Sequence, residues 1–371
     1  MRVLLTTGIF FPDVGGPAIH VQKIAEHFAT LGWQVTVVAF GDHKASGEDY
    51  RVIRISRASG KLVSWLLYGI AVARESLRHD VIYAFDLTTA GIPSALFSRI
   101  FRKPFILRIG GDSLWERVVE KGERSIPMRA YYEQGLFKKD RPTLYRLVRF
   151  VVRRADTVVI PCGFLKDLYI RFYGVSAEKI TLIQNPFPPK SPAMIEEDTF
   201  TFLFAGRFVS YKNLVRVLKV FRDIAEKYPH ARLVLIGEGP DEAALKARAA
   251  LLGENVEIVP KVNQKTLFEC INASSVALAP ALTEFNSNFI LEALALGKPA
   301  LISRDNGLSA NLPDSLQFDP MSDASLQEAM ERMLNAIHYH AALSLVAELP
   351  MDQTWDKVVS EHAEIVRKSI R

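Results

Sequence analysis

Strand-like and helix-like runs alternate along this chain from end to end, and the alternation breaks only once. The break is residues 185–198, NPFPPKSPAMIEED, which hold four prolines and no periodicity. Proline fixes φ and removes an amide donor, so this stretch continues neither a helix nor a central strand and reads as a linker. Before it, strands are expected at Val3–Thr7, Val35–Phe40, Val52–Ile55, Val81–Ala84, Phe105–Ile109, Thr157–Ile160 and Ile180–Ile183, with helical runs such as Ile19–Leu31, Leu62–Leu77 and Leu144–Arg154 between them. After it, a second series runs through Phe200–Phe204, Leu233–Ile236, Val256–Ile258, Val276–Ala279, Ala300–Ser303 and Leu316–Phe318. Such βα repetition builds a parallel sheet with helices on both faces. The fold class is therefore α/β, with two Rossmann-like doubly wound units, 1–188 and 189–348. A length of 371 residues also exceeds what one core normally holds.

The bulk numbers exclude several classes. No uninterrupted apolar run reaches about 18 residues, so a spanning helix is not expected. The opening MRVLLTTGIFFPD carries an apolar run, but Pro12, Asp13 and two glycines follow without an export-type cleavage pattern. It reads as a first buried strand, and a cytoplasmic location is expected. Cys162 and Cys270 stand in apolar contexts without CxxC spacing, which suits structural thiols. There is no HExxH, GxSxG or GKS/T element and no clustered histidine set, so no metal ligands are assigned. His20 reads as a surface or supporting residue. The formal charge of +5 is uneven: residues 115–154 hold eleven Lys or Arg and five Asp or Glu. That stretch lacks the aromatic interleaving of a single-strand platform, so nucleic acid is not an expected partner. It suits a phosphorylated substrate, an anionic membrane surface or a solvated helical face, with Trp115, Tyr131, Tyr132 and Phe137 as candidate membrane-interface contacts. The apolar helix around 62–72 reads as core.

Candidate chemistry falls at strand ends, where open parallel sheets bind ligands. Gly15 and Gly16 follow the first strand and open a helix, which lets backbone approach a bulky anion. Arg108, Gly110, Gly111 and Asp112 form RIGGD after another strand. Asp112 is a candidate catalytic residue that either accepts from a sugar hydroxyl or orients the acceptor; the alternative is a cap for the run Ser113–Val119. Arg207 and Lys212 frame the strand–helix junction after Phe200–Phe204, and two cations there suit a diphosphate whose charge grows as it leaves. Gly237 and Glu238, within IGEGPD, and Val259 follow the next two strands; Glu238 and the backbone near Val259 could border a ribose or base. The most informative pair is Glu284 and Glu292, in TEFNSNFILEALALG. One acid lies in a loop and the other about a turn inside a helix. The free amides of that helix start suit a diphosphate. Glu292 can accept both ribose hydroxyls.

In combination these elements resemble the retaining GT-B glycosyltransferases of family 4 (glycosyl transferases group 1), over nearly the whole chain. The most specific element is E-x7-E, here Glu284 to Glu292, followed by ALALGKPALI; GRFVSYKN (206–213), GEGP (237–240) and the Gly15–Gly16 pair also fit. The resemblance implies two facing Rossmann-like domains with a cleft between them. Residues 349–371 would form a terminal helix packing back on the N-terminal, acceptor-binding domain. It places a nucleotide-diphosphate sugar, the donor substrate, on the second domain, with Gly206, Gly237, Glu238, Val259, Asn288, Phe289, Ile290 and Glu292 as binding residues. Arg207 and Lys212 would hold the diphosphate, and Glu284 would lie near the sugar. No cofactor is implied beyond the donor, and metal-independent transfer with retention is expected. The acceptor would be a hydroxyl of a glycan or lipid-linked sugar in surface polysaccharide or glycolipid assembly.

The pattern departs from the family in two places. Many relatives carry a histidine at the end of the strand that reads ILRIGGD here; a subset shares RxxGD followed by xxWE, matched by Arg108 to Glu116. Asn286, Ser287 and Asn288 stand where relatives often have PFG or GFG, and Ser287 or Asn288 can cap the helix. A GT-B sugar-nucleotide epimerase and a nucleotide-sugar-binding or scaffold protein with a degenerate site are the alternative readings.

Overall fold

The computed structural model describes residues 1–13, 16–42, 49–190, 199–308 and 310–370. Two compact units emerge, one of 1–114, 136–186 and 355–371 and one of 115–135 and 187–354. Residues 185–190 carry no regular secondary structure, and 191–198 lie outside the described residues.

The first unit holds seven strands: β1 (Arg2–Thr6), β2 (Gln34–Phe40), β3 (Arg51–Ile55), β4 (Val81–Ala84), β5 (Phe105–Arg108), β6 (Thr157–Ile160) and β7 (Ile180–Leu182). They form one sheet in the order β3-β2-β1-β4-β5-β6-β7, and every pairing is parallel. Alternate side chains leave opposite faces of the sheet. Val3, Leu5, Val37 and Tyr83 face a core closed by helices Gly16–Thr30 and Trp355–Ile370, through Val21, Ile24, Phe28, Val358 and Val366. Thr6, on the other parity, is bonded to Ser94 of helix Gly91–Ile100 (Oγ1 to Oγ, 2.8 Å). Both faces of β1 are covered, which is why it reads as a continuous apolar run. The terminal helix is pinned by the Tyr83 hydroxyl, 2.5 Å from His362 Nδ1. Burial, then Arg108 and His20, hold the His362 pKa well below its ordinary value, so this imidazole is neutral.

The helix Lys61–Ser76 differs from the core helix that its apolar sequence suggests. Only Ser64, Tyr68, Val72, Glu75 and Ser76 are buried. Their spacing of about four marks one narrow stripe. Tyr68 anchors it, its hydroxyl donating to Thr7 O (3.0 Å) and Val38 O (3.2 Å). Leu62, Val63, Trp65, Leu66, Leu67 and Ile70 find no second layer and are exposed.

The second unit has the same design: β8 (Phe200–Ala205), β9 (Ala231–Ile236), β10 (Val256–Val259), β11 (Val276–Ala279), β12 (Ala300–Ser303) and β13 (Gln317–Phe318), in the order β10-β9-β8-β11-β12-β13 and all parallel. The strand order reverses between β8 and β11, which is where doubly wound sheets open a crevice for ligands. Trp115–Gly135, early in sequence, belongs to this unit. Trp115 packs edge-on against Tyr211 and Phe285, and its indole N–H donates to Ile126 O at 2.8 Å. Trp115, Tyr131, Tyr132 and Phe137 are all fully buried or nearly so. The expected interface role for these four aromatics is therefore corrected: they are packing residues. Among the described residues no helix is long and apolar enough to cross a membrane.

Candidate active site

The loops after β8 and β11 meet at the point where the strand order reverses. Lys212 closes the turn Ser210–Lys212 after β8, and Glu284 lies five residues beyond β11. Lys212 Nζ donates to Glu284 Oε2 at 2.7 Å, with the two side chains 15% and 9% exposed. Burial alone would lower the Lys212 pKa. The charge of Glu284 and its hydrogen bond, with Tyr211 and Glu116 nearby, outweigh that and leave it raised, so the ammonium is fully charged. Backbone bonds hold both loops: Leu282 N donates to Tyr211 O (2.8 Å), Glu284 N to Asp305 O (3.0 Å) and Gly307 N to Glu284 O (2.7 Å).

Arg207 lies in the same β8 loop but is 68% exposed, with Glu120 Oε1 3.3 Å from Nη1. Its loop is folded against the one after β9. Gly206 N donates to Ile236 O (3.0 Å), Phe208 N to Glu238 O (2.9 Å) and Gly237 N to Val259 O (3.0 Å). This close approach explains the glycines. A Cβ at Gly237 would collide with the Gly206 carbonyl oxygen, and one at Gly239 with that of Phe208. The Glu238 side chain is exposed, 3.6 Å from Lys261, and Val259 is half-buried.

The third wall is helix Asn288–Ala295. Asn288 is exposed at its start, while the side chains of Phe289 and Ile290 are buried, so these two contribute backbone amides. Ser287 occupies the cap position without a side-chain capping bond, unlike the cap that its residue type suggests. Glu292, one turn in, is pushed up to about 7 by burial, although a bond from Gln264 partly lowers it. Gln264 opens the helix after β10, so Glu292 sits towards the β9 and β10 ends of the site.

The segment 115–135 braces these loops from one side. Ser210 Oγ donates to Val119 O (2.7 Å), Met128 N to Thr283 Oγ1 (2.7 Å), and Thr283 Oγ1 to Asp305 Oδ2 (2.5 Å). Arg129 Nε lies 3.5 Å from Asp305 Oδ1. Thr283, Asp305 and Glu120 were not legible as site residues, because their partners lie far away in sequence.

In the first unit, Gly16 opens helix Gly16–Thr30, and Gly15 lies outside the described residues. Asp112 is fully buried. Its Oδ1 accepts from Leu114 N (3.1 Å), and its Oδ2 from the hydroxyls of Tyr173 (3.2 Å) and Tyr169 (3.5 Å). These contacts are those of a cap for helix Ser113–Glu120 and present no exposed oxygen to a substrate. Arg108 is buried, with Nη2 donating to Asn185 Oδ1 at 3.1 Å. His20, read from the sequence as a surface or supporting residue, is buried with its ring 4.8 Å from Trp355. Among the described residues no group of three His, Cys, Asp or Glu is placed to hold a metal.

The architecture and these strand-end loops coincide with matches to known proteins. Residues 14–190 match the model described as Glycosyltransferase Family 4, and residues 190–342 match that for glycosyl transferases group 1. The chain has the GT-B architecture and belongs to the glycosyltransferase superfamily. An uncharacterized glycosyltransferase of Methanocaldococcus jannaschii is 21% identical over 99% of this chain and 98% of its own. A GDP-mannose-dependent alpha-(1-6)-phosphatidylinositol dimannoside mannosyltransferase of Mycobacterium tuberculosis is 28% identical over 83% of this chain and 81% of its own. Among solved structures, sucrose-phosphate synthase of Thermosynechococcus elongatus superposes with a TM-score of 0.76 at 18% identity, covering 99% of this chain and 98% of its own. Anabaena HepE in complex with UDP gives 0.72 at 15% identity, covering 99% and 100%.

Proposed function

We propose that this chain is a retaining, metal-independent glycosyltransferase. It would move a sugar from a nucleotide-diphosphate donor to a hydroxyl of a glycan or lipid-linked acceptor. The observation that carries the reading is the Lys212–Glu284 pair where the order of the second sheet reverses, with Arg207 in the same loop. The second unit would bind the donor. Glu292 would accept from the ribose hydroxyls. The amides at Asn288, Phe289 and Ile290 would face the diphosphate. The backbone at Gly206, Gly237 and Val259 would border the nucleoside, with Glu238 at its edge. The first unit would receive the acceptor. Gly15 and Gly16 would admit the diphosphate.

In the reaction, the acceptor oxygen bonds to the anomeric carbon on the face from which the bond to phosphate breaks. The acceptor proton passes to the leaving diphosphate. Lys212 and Arg207 neutralise the charge gathering there, which supplies electrostatic stabilisation from the protein's own cations. Glu284, held by Lys212 and by backbone bonds to Asp305 and Gly307, would meet hydroxyls of the transferred sugar. Relatives named for lipid acceptors, the mannosyltransferase above and an alpha-monoglucosyldiacylglycerol synthase of Streptococcus pneumoniae (24% identical over 86% of this chain), support the acceptor class.

Calorimetric titration with UDP, GDP and ADP, with and without magnesium, tests the donor site. Saturable binding of one nucleotide without metal, lost in Glu292→Ala and Arg207→Ala, is expected. No binding of any nucleotide would overturn the assignment. Product anomeric configuration by NMR then tests retention.

A further inference from the structure

The first unit buries one strongly basic side chain without a counter-charge. Arg108 is the last residue of β5 and is only 6% exposed. By strand parity it shares the face of Ile106, which is the face closed by helices Gly16–Thr30 and Trp355–Ile370. Its Nη2 donates to the neutral Asn185 Oδ1 at 3.1 Å, and its Nε is buried without a partner. Among the described residues no carboxylate pairs with it. Burial lowers its pKa, and the neighbour that opposes the shift is Tyr83, not an acid. A buried charge is costly unless it is paired, so a guanidinium kept in this state is poised for an anion.

The surroundings add donors and positive potential. The Tyr83 hydroxyl meets His362 Nδ1, which leaves His362 Nε2 buried without a partner. His20 lies close enough to act electrostatically on His362, as Arg108 does, and stands one turn inside helix Gly16–Thr30, near its positive end. Access is provided by Gly110. It is exposed, and a Cβ there would stand 3.9 Å from Arg108 Nη1, so the guanidinium lies within reach of the surface at that glycine. We propose that Arg108 anchors an anion site in the first unit, which takes a phosphoryl group at the end of β5. Phosphoryl oxygens supply the missing charge and can accept from Nε and Nη1 while Asn185 holds Nη2. Only the source of the group rests on the transferase reading: a phosphate carried by the acceptor, or the diphosphate of the donor.

The full chain with isotope-labelled histidine is titrated with inorganic phosphate, with chloride holding the ionic strength constant, and followed by NMR. Variants His20→Gln and His362→Gln assign the two signals. Both signals are expected to move saturably, and the titration midpoint of His362 to rise, because an anion beside it favours the imidazolium. Arg108→Met should abolish these movements. It should also melt at or above the wild-type midpoint in phosphate-free buffer, because the uncompensated charge is gone. Gly110→Leu, at an exposed position, should weaken phosphate binding by roughly tenfold or more, and it serves if Arg108→Met misfolds. A hexose phosphate that moves the signals at lower concentration than inorganic phosphate assigns the group to the acceptor; UDP, GDP or ADP doing so assigns it to the donor. Signals that ignore phosphate, that move equally with chloride, or that still move in Arg108→Met overturn the proposal. Nucleotide binding that depends on Glu292 is read in the second unit, so such a failure leaves the donor assignment standing.

Discussion

Lys212 Nζ and Glu284 Oε2 lie 2.7 Å apart, joining two residues 72 positions apart in sequence on the loops after two strands that are adjacent in the sheet. Both are largely buried, and a buried pair costs more to break than it contributes when intact. Lys212→Ala should therefore destabilise the second unit by about 3–5 kcal/mol, because it leaves the Glu284 carboxylate without its cation. Lys212→Met combined with Glu284→Leu should recover most of that loss, read by urea denaturation, while nucleotide-diphosphate binding stays lost. Recovery of stability together with binding would remove the pair from the donor site.

Arg207 is the contrasting cation. It is exposed, and its bond to Glu120 is a surface contact worth about 0–1 kcal/mol. Glu120→Gln should leave stability unchanged and tighten binding of the diphosphate two- to fivefold, because Arg207 no longer divides its charge between Glu120 and the ligand. Arg207→Ala should weaken binding by roughly 10-fold or more. Calorimetry on both variants checks this; weaker binding in Glu120→Gln would mean that Glu120 positions Arg207 instead of competing for it.

The strand-end rule singled out Arg207, Lys212, Glu284 and Glu292 in the sequence, and the structure places them on the loops and the helix that follow β8 and β11. It also singled out Asp112, and there the local chemistry has another use. A buried aspartate one residue before a helix satisfies an amide that would otherwise lack a partner. Whether such an acid points outward or caps depends on Tyr169 and Tyr173, which lie about 60 residues on and which no local pattern connects to it. The exposure of Leu62, Leu66 and Ile70 was hidden for a related reason. Apolar composition reports what a helix could bury, but the number of layers above it belongs to the fold. The placement of 115–135 against Ser210 and Thr283 is likewise a long-range fact.

Asp112→Ala should accordingly act on stability. Losing the cap and stranding the tyrosine hydroxyls should cost about 1–3 kcal/mol in the first unit. Nucleotide binding to the second unit should not change. Thermal denaturation and calorimetry read the two effects separately. An Asp112→Asn protein with unchanged melting but a kcat lowered more than 100-fold would return Asp112 to a direct role towards the acceptor.

Glu292 links stability and ligand binding through pH. Burial raises its carboxyl from 4.5 to about 7, so the folded protein holds a proton there that the unfolded chain releases. For a group raised in the folded state, the associated stability is fully present below about pH 4.5 and is lost as pH rises through about 7. The shift corresponds to at most roughly 3 kcal/mol, less to the extent that water reaches the half-buried side chain. Glu292→Gln cannot ionise, so it should be more stable than the wild type at pH 8 and similar at pH 4.5, measured by urea denaturation at both. Nucleotide binding should run the other way. The ribose hydroxyls need a carboxylate acceptor, so affinity in the wild type should rise with pH through about 7 and level off above it. In Glu292→Gln that rise should vanish and affinity should stay low throughout. A wild-type affinity that is flat between pH 6 and 8 would separate Glu292 from the ribose, whatever its effect on folding.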